Sequence, residues 1–166
     1  RQSPDGTWIA YTTVGNETGG PVVLHNLATG EWLDLIARIN EHLPQSQAPY
    51  RHDFWWDVIG WFPDSERLMI GPSDLSVVLV VELTGFSSQA IPFPGAGRGG
   101  RLFVDLADDG QSFVYLGEDT NGNQVLASFD LASGETRQWL QLPYEQGVLY
   151  NPRLSPDQTQ LVFVVQ

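Results

Sequence analysis

Ser3-Pro4-Asp5-Gly6, followed by Trp8-Ile9-Ala10-Tyr11, is the stretch on which the fold assignment turns. Proline presets φ for the first central position of a turn. Aspartate hydrogen-bonds backbone N–H groups two residues on, and glycine takes positive φ without a steric cost. An apolar strand then begins. The same device returns as Phe62-Pro63-Asp64-Ser65 before Arg67-Leu68-Met69-Ile70. It recurs as Ala107-Asp108-Asp109-Gly110 before Ser112-Phe113-Val114-Tyr115, and as Ser155-Pro156-Asp157-Gln158 before Gln160-Leu161-Val162-Phe163. A second landmark, a strand closing on a glycine turn, alternates with it at Asn26 to Gly30, Glu82 to Gly85 and Asp130 to Gly134.

The intervals give the architecture. Asp5, Asp64, Asp109 and Asp157 are 59, 45 and 48 residues apart. Internal repeats of about 40–50 residues with several strands each are the signature of a β-propeller. Runs such as Pro21-Val22-Val23-Leu24 and Val77 to Val81 are apolar throughout, as a strand covered on both faces requires. The predicted fold is therefore all-β, an incomplete β-propeller of four-stranded antiparallel blades within one domain, 1–166. Blade one covers 3–36 and lacks its first strand; its strands are predicted at 8–13, 21–27 and 31–36. An insert, 37–53, follows. Blade two covers 54–92, with strands at 54–62, 67–71, 76–83 and 86–92. Blade three covers 101–142, with strands at 101–106, 111–116, 124–130 and 135–142. A partial blade four covers 148–166, with strands at 148–154 and 159–165. This arithmetic reads as an interior fragment of a larger ring, with an apolar blade face uncovered at each end.

Composition excludes several functions. The chain has 166 residues, a net charge of -12, eight basic residues that are all arginine, and no cysteine. An acidic surface repels a polyphosphate backbone, so nucleic acid is not an expected partner. Without lysine there is no Schiff-base or P-loop chemistry, and without cysteine no disulfide, thiolate zinc site or thiol nucleophile. No apolar run approaches the roughly 20 residues of a membrane-spanning helix.

Ser3-Pro4-Asp5-Gly6-Thr7-Trp8-Ile9-Ala10-Tyr11 and Leu154-Ser155-Pro156-Asp157 resemble the WD40-like PD repeats of TolB-type propellers. The hairpin Glu118 to Gln124, closing on Phe129-Asp130-Leu131, is similar to that family's second hairpin. The resemblance covers nearly the whole chain. It implies an extracytoplasmic, envelope-type binding module, or a gating domain joined to a serine peptidase. Two features depart from the pattern: Ala107-Asp108 stands where Ser-Pro is usual, and Trp56-Asp57, a WD-like pair, sits inside a strand.

An antiparallel meander places successive turns at opposite ends of a blade. The formulaic turns, carried by Asp5, Gly6, Asp64, Asp109, Gly110, Asp157, Gly30, Gly85 and Gly134, share one end and are structural. The irregular connections share the other: 14–20, 73–75 and 117–123 between second and third strands, and 37–53, 93–100 and 143–147 between blades. Unequal loops on a rigid scaffold are where binding resides. The candidate binding residues there are Tyr50, Arg51, His52, Arg98, Arg101, Glu118, Asp119 and Tyr144. Leu35, Ile36, Ile39 and Leu43 recur at helical spacing, and Pro44 ends the segment. Tyr50-Arg51-His52-Asp53 before Phe54-Trp55-Trp56 has the composition of a protein-contact patch. The structural alternative, a short helix plugging the blade edge with Trp55 and Trp56 as core, carries more weight.

Other motifs carry little chemistry. Pro94 to Gly100 resembles a phosphate loop but leads into a strand rather than a helix. Glu118, Asp119, Asn121 and Asn123 have loosely calcium-like spacing, yet Asn-Gly is itself a hairpin signal. His25, His42 and His52 are dispersed, and His52 and Asp53 would point to opposite faces of a strand. No G-x-S-x-G elbow occurs. No catalytic residue, metal or cofactor is expected. The leading functional expectation is a non-catalytic protein-binding or scaffold module, with a protein partner or further blades of the same parent protein. The alternative is the gating propeller of a prolyl-oligopeptidase-like peptidase whose catalytic domain lies elsewhere. A propeller enzyme acting on acidic sugars, needing clustered His and Arg, is the weakest of the three.

Overall fold

The computed structural model describes residues 1–13, 20–44, 50, 55–72, 77–92, 103–155 and 157–166. They belong to two compact units, one of Arg1–Ser73 with Val77–Pro92, the other containing Phe93–Gln166.

The first unit holds two antiparallel meanders. Strands β1 (Trp8–Thr12), β2 (Val22–Asn26) and β3 (Trp32–Asp34) lie in that order, and Gln2 forms an isolated bridge to Ile9 beside β1. Strands β4 (Trp56–Trp61), β5 (Arg67–Pro72), β6 (Val77–Glu82) and β7 (Ser88–Pro92) form a four-stranded sheet in sequence order. Helix α1 (Leu35–His42) follows β3 directly. The sequence reading carried the strand to residue 36, but it stops at Asp34. The Asp34 carboxylate accepts from the Ala37 N–H at 3.0 Å and caps the helix, taking Leu35 and Ile36 into its first turn. Eight residues are too few for a helix to persist alone. Leu35, Ile36 and Ile39 are buried, each worth about 1.5–3 kcal/mol relative to exposure, and this tertiary contact holds α1 in place. They join Ala10, Leu24, Trp56, Leu68, Ile70 and Leu79 in one core. Trp56 is buried, whereas Trp55, also expected in the core, is exposed.

The second unit contains β8 (Val104–Leu106), β9 (Ser112–Glu118), β10 (Gln124–Asp130) and β11 (Thr136–Leu142), a four-stranded antiparallel sheet. A two-stranded sheet of β12 (Leu149–Leu154) and β13 (Leu161–Val165) follows. A single 3-10 turn, Tyr144–Gln146, separates the two. In β9 every residue but the last is buried, the two-faced cover that its apolar run requires. Leu149, Leu154, Leu161 and Phe163 pack against Val114, Leu116 and Leu126 of the four-stranded sheet. Alternation turns Val162 and Val164 to the opposite face, where both are exposed.

The turns are built alike in both units. Asp5, Asp64, Asp109 and Asp157 each accept, through Oδ1, the N–H two residues on: Thr7 at 3.0 Å, Glu66 at 3.0 Å, Gln111 at 2.9 Å and Thr159 at 3.2 Å. The residue after each aspartate is left-handed: Gly6 (φ 76), Ser65 (φ 61), Gly110 (φ 67) and Gln158 (φ 57).

Candidate functional site

In the second unit, strand register assembles one end of the sheet from distant residues. Glu118 pairs with Gln124, and Gln124 with Leu142, so the hairpin between β9 and β10 and the connection leaving β11 emerge side by side. Glu118, Asp119 and Gln141 lie at this end, and Tyr144 follows on the connection leaving β11.

Asp119 organises the hairpin. Its carboxylate accepts from the Asn121 N–H at 2.7 Å, the Asn123 N–H at 2.9 Å, the Asn123 side chain at 3.0 Å and the Gln141 side chain at 2.5 Å. The Asn123 side chain, then its backbone N–H, holds the carboxyl below its ordinary pKa range. Both oxygens are thus engaged in shaping the loop. Among the described residues, no three His, Cys, Asp or Glu side chains lie where they could share a metal ion.

Tyr144 is half exposed on the 3-10 turn. Partial burial first, then the nearby Glu118 carboxylate, raises its pKa. Its half-exposed hydroxyl can donate to a partner, and the Glu118 carboxylate adds negative charge to the same end of the sheet. An amphipathic ring at the same end of the sheet as a carboxylate suits contact with a polar surface.

Buried Gln124 supports this end from beneath. Its amide nitrogen donates to the Gly147 carbonyl at 2.7 Å, and its amide oxygen accepts from the Leu149 N–H at 2.8 Å. Sequence reasoning missed Gln124 and Gln141. The available signal was a glutamine opening an apolar strand, where a buried amide needs partners.

In the first unit, Tyr50 is drawn into the scaffold. Asn40 of α1 imitates a strand neighbour: its amide nitrogen donates to the Tyr50 carbonyl at 2.8 Å and its oxygen accepts from the Tyr50 N–H at 2.7 Å. The Tyr50 ring meets Trp56 edge-on at 5.8 Å. Arg51, His52, Arg98 and Arg101 lie outside the described residues. Of the other histidines, the His42 ring approaches the Arg38 carbonyl and Phe86, and His25 sits on β2. Among the described residues, no helix is long and apolar enough to cross a membrane.

No family model matches the chain, and no curated protein matches its sequence. Solved structures do match. The chain is similar to TolB from Acinetobacter baumannii at 15% identity with a TM-score of 0.65, covering 99% of this chain and 36% of that one. It is also similar to a chain of a nidogen/laminin complex at 11% identity with a TM-score of 0.55, covering 96% of this chain and 52% of that one. The chain thus spans about a third of the length of TolB. At such identities the likeness speaks for fold alone, and it agrees with the four-stranded meanders: the sheets are blades of an incomplete β-propeller.

Proposed function

We propose that the chain is a non-catalytic, protein-binding or scaffold module built of TolB-like PD repeats, and that it meets its partner at the irregular-loop end of the blades. The PD assignment is supported by four aspartate turns that share one hydrogen-bond pattern. The observation that carries the binding assignment is the half-exposed Tyr144 at the same end of the sheet as Glu118 and the hairpin that Asp119 ties together. A preformed loop loses little freedom on docking, and a tyrosine offers large contact area at low entropic cost. One of the similar chains was solved within a nidogen/laminin complex. The TolB-type resemblance supports a location outside the cytoplasm.

The test is co-purification of the full-length parent from its own cells. A specific partner should be retained by the wild type and by Glu135→Ala, which alters the formulaic-turn end, and lost by the Glu118→Ala, Tyr144→Ala double variant. Equal retention by all three would place the interface elsewhere. Peptide hydrolysis by the parent, with a covalently labelled serine, would transfer the assignment to a gating propeller.

A further inference from the structure

Among the described residues there are five asparagines, and one stands apart from the rest. The Asn26 side chain accepts from the Ala28 and Thr29 N–H groups at 2.9 and 3.0 Å. Asn40 is fixed at both ends of its amide by Tyr50. The Asn123 amide donates to Asp119. Asn151 precedes Pro152, whose nitrogen carries no hydrogen. Asn121 is exposed at the tip of the β9–β10 hairpin, its carboxamide makes no hydrogen bond to the described residues, and Gly122 follows it.

We infer that Asn121 is a site of spontaneous deamidation in the folded protein. The Gly122 backbone nitrogen gives up its proton to solvent base and attacks Cγ of Asn121. A new C–N bond closes a five-membered imide, the Cγ–Nδ2 bond breaks, and the side-chain nitrogen leaves as ammonia. Water then adds to either imide carbonyl and opens the ring to aspartate or isoaspartate. One water is consumed, one ammonia is released, and nothing is oxidised or reduced. Gly122, at φ 80, has no Cβ to screen its nitrogen. The restraint on the attack is the bond from the Gly122 N–H to the Asp119 carbonyl, which at 3.1 Å is at the long end of the normal range. Among the described residues, Asn121 itself is anchored only through its backbone N–H to Asp119. Conversion places a new negative charge beside Glu118 and Asp119. The isoaspartyl product also adds a methylene to the backbone that Asp119 spans between residues 121 and 123.

The experiment incubates the intact chain, folded and in urea, at neutral to mildly alkaline pH. Peptide mapping that separates aspartate from isoaspartate follows each asparagine, and released ammonia is measured in parallel. The folded chain should convert Asn121 ahead of Asn26, Asn40, Asn123 and Asn151, with matching ammonia. Asn121→Ser should abolish that early ammonia while leaving the circular dichroism unchanged. The inference is overturned if folded Asn121 stays amidated over the time in which the urea-unfolded chain converts it, or if another of these asparagines leads.

Discussion

The side-chain amide of Gln158 donates to the carboxylate of Asp109, tying the turn between β12 and β13 to the turn between β8 and β9. The same amide accepts from the Ser112 hydroxyl at 3.2 Å. In the other unit the Ser65 hydroxyl accepts from the Asp5 N–H at 3.0 Å. Ser65 and Gln158 occupy the left-handed position that Gly6 and Gly110 fill elsewhere. Where glycine is absent, the side chain that bears the backbone strain also links its turn to the preceding sheet's turn.

Gln158→Ala removes both ties and keeps the strain. With each bond worth about 0.5–1.5 kcal/mol net, a loss of about 1–3 kcal/mol is expected in urea unfolding. Gln158→Gly loses the same ties but relieves a left-handed residue, which costs about 1–2 kcal/mol, so it should fall well short of the alanine variant. Equal losses would show that φ 57 carries no strain.

Gln124→Leu should be among the most damaging substitutions in the second unit. It strands the Gly147 carbonyl and the Leu149 N–H that Gln124 pairs at 2.7 and 2.8 Å. The buried Leu149 N–H left unpaired costs about 1–3 kcal/mol, and the partly buried Gly147 carbonyl less. A loss of about 3 kcal/mol is expected on the same basis, with faster hydrogen exchange at Leu149.

Gly147→Ala tests a close approach. A Cβ there would stand 2.5 Å from Cγ1 of Val165 and 3.2 Å from the Gln166 carbonyl oxygen, on a backbone at φ 131. A destabilisation of about 2 kcal/mol or more is expected. Adding Val165→Ala should recover part of it, because only the side-chain clash is removed. Strict additivity in the double-mutant cycle would contradict this geometry.

Acid should weaken the fold through its turns. The carboxyls of Asp5, Asp119, Asp130 and Asp157 are all depressed. The leading causes are hydrogen bonds from Ser3, Asn123, the Ser133 backbone and Ser155, respectively. A folded pKa below the unfolded value gives stability that is present above the unfolded pKa, near 3.8, and lost as pH falls through the folded value. Thermal midpoints should therefore hold near neutrality and fall below about pH 4. Asp157→Asn should flatten that fall. A midpoint indifferent to pH in this window would contradict the assignment.

The blades were legible because their punctuation is local: Asp64 and Asp109 act on backbone two residues away, and the apolar run of β9 states its own burial. The start of α1 was not. Leu33 to Ile36 suit a strand or a helix, and only the capping bond from Ala37 to Asp34 decides between them. Counting turns placed Glu118 and Tyr144 at one end, but the strand pairing that brings residues 118, 124 and 142 side by side became visible only through register. Gln124 was hidden because the groups it serves lie 23 and 25 residues further along the chain.

On the proposed function, the two ends of each blade do different work, structural turns at one and partner contact at the other. Site-specific photo-cross-linking compares them directly: a photoreactive residue replaces Tyr144 in one full-length parent and Glu135 in another, and both are irradiated in their own cells. A discrete adduct of one protein at position 144, and none at 135, is the expected result. Adducts at 135 alone, or identical adducts at both positions, would contradict it.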